Sequence, residues 1–187
     1  MFKKIIFTLT LFLFLFSNNT KSKERTFMII KLKYGEVKIE LFDEIAPNHA
    51  KRIVELANSE KYDGVAFHRV IDGFMVQTGD VKYGNTKAEF NSQMVGTGGS
   101  ELPDLKAEFN NIPHKRGTLS MARSQSPDSA NSQFFICLDS HPHLDRNYTA
   151  FGRVVSGMEF VDKIKKGAPG SGAVDNPDTI ISFRSIK

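Results

Sequence analysis

The sequence predicts a mainly β domain of about eight short strands and two helices, either a sandwich or a closed barrel with covered ends. Three observations predict it. Apolar and polar residues alternate with period two through most of the chain from Thr26 onward, glycine-rich turns separate the alternating runs, and only two stretches carry helical spacing. Alternation alone does not separate a barrel from a sandwich.

The first strand is expected over residues 27–33, and Tyr34-Gly35 supplies the turn to a second strand. There Val37, Ile39 and Leu41 alternate with Glu36, Lys38 and Glu40, the pattern of a half-buried strand. Further strands are suggested at residues 65–71, 74–78, 117–122, 133–138, 149–155 and 179–186. After Pro47, Ala50, Ile53, Val54 and Ala57 recur at i, i+3, i+4 and i+7, one face of a helix, with Pro47 suited to its first turn. Phe160, Val161 and Ile164 form a shorter stripe, with Gly167 placed to end a second helix.

At 187 residues, one domain is expected, and 40% hydrophobic with 25% charged residues is an ordinary soluble composition. Disordered, collagenous and membrane-bundle classes are disfavoured on that basis. The net charge of +4 falls to +1 without residues 1–22, because Lys3, Lys4 and Lys21 leave 22 basic residues against 21 acidic ones. No dense basic run is left to follow a phosphate backbone, so no nucleic-acid partner is expected.

Lys3-Lys4 precede an apolar run from Ile5 to Phe16 broken only by Thr8 and Thr10, and Ser17-Asn18-Asn19-Thr20 follow. A basic start, a short apolar region and a polar exit make residues 1–22 a signal peptide, and residues 23–187 the folded domain. Twelve helical residues reach about 18 Å, short of a bilayer core near 30 Å. Export, to the periplasm, is the expectation. No Ala-x-Ala site precedes the domain, so an uncleaved N-terminal anchor is the alternative, and only then is a membrane a partner. Cys137, the single cysteine, sits in Phe134-Phe135-Ile136-Cys137-Leu138 and reads as a buried small hydrophobe.

Residues 67–80 carry the chemistry. Asp72-Gly73 is a hairpin turn signal. A two-residue turn pairs Ile71 with Phe74 and sets Arg69 opposite Val76; a three-residue loop pairs Ile71 with Met75 and sets Arg69 opposite Gln77. Only the second register puts a guanidinium, an amide and Met75 on one face. Taken alone, Arg69 also reads as a solvated strand residue.

This stretch, with Ser132-Gln133-Phe134-Phe135-Ile136, Leu119-Ser120-Met121-Ala122, Gly96-Thr97-Gly98-Gly99 and Phe151-Gly152-Arg153-Val154, closely resembles the cyclophilin family. The resemblance runs from about Thr26 to Lys187 in family order. It implies an eight-stranded antiparallel closed β-barrel capped by two α-helices, with prolyl isomerase activity toward peptides. Proline-containing peptides and unfolded clients are the expected partners and a monomer the expected state, and no cofactor or metal is expected, because the reaction breaks no bond. The resemblance also favours the second hairpin register. Carried over residue by residue, it makes Arg69 the catalytic arginine and Gln77 the glutamine that holds the substrate carbonyl. Phe74, Met75, Phe135 and Leu144 would line the proline pocket. Ala122 and the backbone of Arg123 would flank the preceding residue, and Gln133 would support the arginine.

Three substitutions and one longer segment depart from the family pattern and carry expectations of their own. His143 stands where cyclosporin-binding members have tryptophan, so weak cyclosporin binding is expected. Tyr148 replaces a histidine and keeps a ring with a polar tip. Arg123 replaces a small polar residue, and its charge is expected to favour acidic residues before the proline. Between Asp80 and Gly96 the chain is about ten residues longer than in compact members; a solvated excursion is expected, a substrate-contacting flap the alternative. His141-Pro142-His143 with Asp139 and Asp145 suggests a metal site only weakly, because the proline breaks helical spacing. Ser120 lacks a nucleophile-elbow sequence, against a hydrolase. The rival to the enzyme is a peptide-binding or chaperone module with little catalysis.

Overall fold

Strand β1 (Phe27–Leu32) pairs antiparallel with β2 (Gly35–Leu41), Leu32 opposite Gly35, so the turn is Lys33-Tyr34, one residue earlier than expected. The computed structural model describes residues 25–88 and 90–186; the signal segment expected over residues 1–22 lies outside them. Helix α1 (Pro47–Asn58) follows, then β3 (Arg69–Ile71), β4 (Met75–Thr78), β5 (Thr118–Met121), β6 (Phe134–Cys137), a 3-10 turn (Pro142–Leu144), β7 (Ala150–Ser156), helix α2 (Met158–Val161) and β8 (Ser182–Ser185). The eight strands form one sheet in the order β3-β4-β6-β5-β7-β2-β1-β8, with every pair antiparallel.

The sheet curls into a barrel that is not closed by ladders throughout, which corrects the expectation of full closure. Its end strands, β3 and β8, share no register. The gap is crossed by bonds from β3 itself and from segments flanking the two strands: Phe67 N–H donates to Asp178 O (2.8 Å), Ile180 N–H to Val65 O (2.9 Å) and Val70 N–H of β3 to Gly172 O (2.7 Å). Period-two patterning reports which face a residue occupies and is silent on whether the last two strands touch.

Inward residues of every strand fill the barrel: Met28, Ile30, Val37, Ile39, Val70, Val76, Leu119, Phe134, Ile136, Phe151 and Phe183 are buried in one cluster. Tyr62 joins them, with its ring 5.6 Å from those of Phe134 and Phe183 and its hydroxyl donating to Ser132 O at 2.8 Å. Its polar tip is satisfied inside the core, as burial of a hydroxyl requires.

Helix α1 packs Ala50, Ile53, Leu56 and Ala57 against this core, with Val54 at its margin. Its N-terminus has Ala46 in the capping position, and alanine cannot accept an orphan N–H. Glu108 does so from a distant loop: its carboxylate accepts the N–H groups of Asn48 (3.2 Å) and His49 (3.1 Å) and lies 2.6 Å from His49 Nδ1. Burial would raise the Glu108 carboxyl, but these hydrogen bonds outweigh it and hold it below the usual carboxylate range.

Helix α2 is a single turn and stops at Val161, well before Gly167. Val161 and Ile164 are buried as the stripe predicts, yet the chain beyond Val161 turns without continuing the helix. Gly167 instead donates its N–H to Val70 O (2.9 Å), helping to bridge the open side of the barrel.

Candidate active site

The hairpin between β3 and β4 adopts the three-residue register: Ile71 pairs with Met75, Val70 with Val76 and Arg69 with Gln77. Phe74 N–H donates to Ile71 O (3.0 Å), and Gly73 takes the left-handed conformation (φ +68°) that closes the loop. Strand β6 continues the row, with Phe135 opposite Gln77 and Cys137 opposite Met75; β5 sets Ser120 opposite Phe135. Since Val70, Val76, Phe134 and Ile136 face the core, the alternate residues face away from it. One row of the sheet therefore reads Arg69, Gln77, Phe135, Ser120.

On that outer face Met75, Phe135, Cys137 and Leu144 form a second apolar cluster, with Phe74, Ala122 and Tyr148 packed against it. A cleft of about 510 Å³ opens above it, lined by Arg69, Phe74, Met75, Gln77, Ala122, Arg123, Phe135, His143, Leu144, Asn147 and Tyr148. All the expected site residues but one meet there. Gln133 lines an adjoining groove of about 370 Å³ shared with Gln77, Ala122 and Arg123. Burial of Cys137 under the pocket pushes its thiol up to about 12, so it is a packing residue and no nucleophile.

The Arg69 guanidinium is half-buried at the cleft wall. Its Nη1 donates to Gln77 Oε1 (3.3 Å) and lies 4.0 Å from Met75 Sδ, while Nε donates to Ser171 O (3.2 Å). Gln77 Nε2 donates to Gln133 Oε1 (3.0 Å), and Gln133 Nε2 donates to the carbonyls of Gly96 (3.0 Å) and Gly98 (2.8 Å). Met75 and the amides thus hold the cation on one side and a backbone carbonyl holds it on the other.

Arg123 does not present a free charge to the groove. Its Nε and Nη2 donate to Asn147 O (3.2 and 3.0 Å), Nη1 donates to Ser124 O (2.9 Å) and Gln125 O (3.2 Å), and the guanidinium lies 4.6 Å over the Tyr148 ring. It ties the segment after β5 to the one before β7, the two walls of the cleft. Tyr148 in turn sets its ring edge-on to Phe135, with centroids 5.9 Å apart.

His143 sits in the 3-10 turn at the rim, its ring 6.0 Å from Phe74, while His141 packs edge-on to Phe74 at 4.7 Å. The two histidines belong to this aromatic cluster, and Asp145 is engaged elsewhere. It bonds His114, whose Nδ1 is 3.0 Å from Asp145 Oδ1 and whose Nε2 is 2.9 Å from Ser120 Oγ. Burial lowers the His114 pKa against the pull of Asp145. The ring is therefore neutral, with Nδ1–H donating to Asp145 and the Ser120 hydroxyl donating to Nε2. Serine, histidine and carboxylate stand in the order of an acyl-transfer relay, but Ser120 is 0% exposed beneath Phe135 and no carbonyl can reach it. The trio braces the pocket floor: the His114 ring stacks on Phe135 at 6.2 Å and anchors the residue after Leu144.

Sequence reasoning missed Ser171, Asn147 and His114, and weighed His141 only as a weak metal ligand, where the structure packs it on Phe74. Gly170-Ser171-Gly172 is legible as a turn, yet nothing local says that it returns to β3. Among the described residues, the long segment after Asp80 does not line the main cleft; at its far end Gly96, Thr97 and Gly98 line the adjoining groove.

The chain is similar to known proteins over most of its length. The family model described as cyclophilin type peptidyl-prolyl cis-trans isomerase/CLD matches residues 27–185. The chain is 58% identical over 155 residues to a probable peptidyl-prolyl cis-trans isomerase of Brucella suis, covering 82% of this chain and 79% of that protein. It is 42% identical over 135 residues to peptidyl-prolyl cis-trans isomerase-like 3 of Gallus gallus, covering 71% and 77%. Among solved structures, a cyclophilin type peptidyl-prolyl cis-trans isomerase of Cryptosporidium parvum, determined in the presence of the dipeptide Ala-Pro, superposes with a TM-score of 0.73 at 28% identity, covering 86% of this chain and 99% of that one.

Proposed function

The chain belongs to the cyclophilin-type peptidyl-prolyl cis-trans isomerases, and we propose that Arg69 and Gln77 carry its activity, on proline-containing segments of exported proteins. The observation behind this assignment is the guanidinium of Arg69, held by Gln77 at the wall of an apolar cleft floored by Phe135 and Met75. A relative of the same fold was solved in the presence of Ala-Pro, which supports proline peptides as the substrate class.

Rotation about an X–Pro bond faces a barrier of about 20 kcal/mol, because amide resonance makes the bond partly double. Uncatalysed exchange takes roughly 10–100 s. A turnover of about 10³ s⁻¹ then requires near 10⁵-fold acceleration, or about 7 kcal/mol. No bond is broken, so the reaction needs neither nucleophile nor metal. It needs preference for the twisted amide, whose nitrogen becomes pyramidal and gains a lone pair.

Arg69 supplies that preference. A guanidinium hydrogen bond to the nitrogen exists only once resonance is lost, so it stabilises the transition state and not the planar ground state. Such a bond contributes about 1.5–3 kcal/mol. The remainder comes from the ring seated among Phe74, Met75, Phe135 and Leu144, where water is excluded, and from the carbonyl held by Gln77. Gln77 Nε2 has two protons and gives one to Gln133, which leaves one for the substrate.

Acceleration of cis-to-trans exchange in a cis-enriched proline peptide, measured without a coupling protease, tests the assignment. Catalytic amounts should abolish the slow phase. Binding of the peptide with no acceleration would favour the peptide-binding module instead. The exported setting rests on Lys3-Lys4 and the apolar run from Ile5 to Phe16. The mass of the protein recovered outside the cytoplasm decides between cleavage after the polar exit and retention as an anchor.

A further inference from the structure

Asp80 closes the segment that begins with the hairpin, and it is 0% exposed. Its carboxylate accepts four backbone N–H groups from a loop that leaves it and comes back: Lys82 (3.1 Å) and Tyr83 (2.9 Å) on Oδ1, Gly96 (2.7 Å) and Gly98 (2.9 Å) on Oδ2. Every acceptor position of the carboxylate is filled. The approach of Gly98 depends on its lacking a side chain, since a Cβ there would lie 2.5 Å from Oδ1. Both ends of the long loop are thereby fixed to one buried charge, whatever the residues between them do.

The consequence runs to the cleft. A glutamine amide can sit either way round, and hydrogen-bond partners decide which. The carbonyls of Gly96 and Gly98 take both protons of Gln133 Nε2, so Gln133 Oε1 faces Gln77 and can only accept. Gln77 must then turn Nε2 toward Gln133 and Oε1 toward Arg69, which is the arrangement present. Reversing either amide sets two donors or two acceptors against each other. We propose that Asp80 is a positioning residue of the isomerase reaction: it holds the Gly96 and Gly98 carbonyls, and through Gln133 these fix the polarity of Gln77 beside Arg69. The inference rests on the assignment of Arg69 and Gln77 to the reaction.

The test is kinetic and spectroscopic. Asp80→Asn keeps the shape but places an NH2 group against N–H donors. It should lower kcat about tenfold with KM changed less than about twofold, the signature of a contact that matters in the transition state. The side-chain amide resonances of Gln77 and Gln133 should move in the same variant. Phe90→Ser, an exposed change within the loop, should alter neither. On a Gln133→Ala background, Asp80→Asn should cost no further activity, because its route to the cleft is already cut. Additive losses, or a folded Asp80→Asn protein with undiminished kcat, overturn the inference. Should Asp80→Asn not fold, hydrogen exchange in the unsubstituted protein decides: the Gln133 side-chain amide protons must be protected in a single conformer, and fast exchange contradicts the inference. Arg69→Ala run in parallel separates the two readings. Full activity there rejects the catalytic assignment itself, whereas an inactive Arg69→Ala with additive Asp80 and Gln133 losses rejects only the role of Asp80.

Discussion

Arg69 and Gln77 face one another across the β3–β4 hairpin, with Nη1 of the arginine 3.3 Å from Oε1 of the glutamine. A two-residue turn would have put Val76 in that place. The local choice of a three-residue loop through Asp72, Gly73 and Phe74 therefore decides whether the strand pair has a site at all.

The guanidinium of Arg123 is spent on three carbonyls and the Tyr148 face, so the preference for acidic residues expected from its charge should be small. Peptides with glutamate or alanine before proline should differ by less than about threefold in kcat/KM, the scale of a solvent-screened charge pair. Arg123→Ala should instead raise KM for both peptides, and Arg123→Lys should not restore it, because an ammonium cannot reproduce the planar fork. A large loss confined to the acidic peptide would point to direct recognition of charge.

At the rim, His143 offers neither the indole donor nor the apolar area of tryptophan. Cyclosporin should bind weakly, and His143→Trp should tighten it by about tenfold or more, roughly the return on one added hydrogen bond with its contact area. Titration of fluorescence in the tryptophan variant and competition in the exchange assay measure both. Nanomolar inhibition of the unsubstituted protein would contradict the prediction.

Phe135 carries the pocket floor between the His114 and Tyr148 rings. Phe135→Ala should cost about 3–5 kcal/mol of stability through the cavity left behind. It should also raise KM for proline peptides, whereas Phe135→Leu should recover most of the stability. Denaturant unfolding and steady-state exchange read the two effects separately, and a Phe135→Ala protein with unchanged KM would move the proline ring elsewhere.

His49, His68 and His114 are all buried, and burial lowers each pKa from 6.5 despite nearby carboxylates. The unfolded chain takes up protons at these rings as the pH falls through 6.5, while the folded chain resists. Their stabilising contribution is complete above that pH and is lost progressively below it. Unfolding free energy should therefore fall between about pH 7 and 5 at constant m-value, and a flat or rising profile would contradict this. Turnover should be nearly constant from about pH 6.5 to 9, since a guanidinium does not titrate there. A sigmoid centred near 7 would implicate a histidine in the chemistry.

What the sequence made legible follows from what is local. Alternation marked strands at residues 65–71 and 74–78 and Asp72-Gly73 the turn between them, but it left two registers open, and the family resemblance favoured the one that sets Arg69 opposite Gln77. The motifs around Gln133 and Ala122 were recognisable as a set, and they do meet at one cleft. The partners that hold those side chains were not legible, because they come from far along the chain: Ser171 lies 102 residues from Arg69, and Asp145 lies 31 from His114. Glu108 caps α1 across about sixty residues, where Ala46 gives no capping signal. Gly167 looked like a helix stop because glycine often is one; its N–H instead bridges the barrel to Val70.

The most direct measurement of the central claim is the exchange rate of a cis-enriched proline peptide with the Arg69→Ala protein, beside its unfolding curve. The side chain is half-buried on a strand surface, so the fold should persist with little change in unfolding midpoint. Loss of a charge-assisted hydrogen bond made only to the twisted amide should lower kcat between about tenfold and a hundredfold, with peptide binding retained. A folded Arg69→Ala protein that turns the peptide over at the unsubstituted rate would contradict the account.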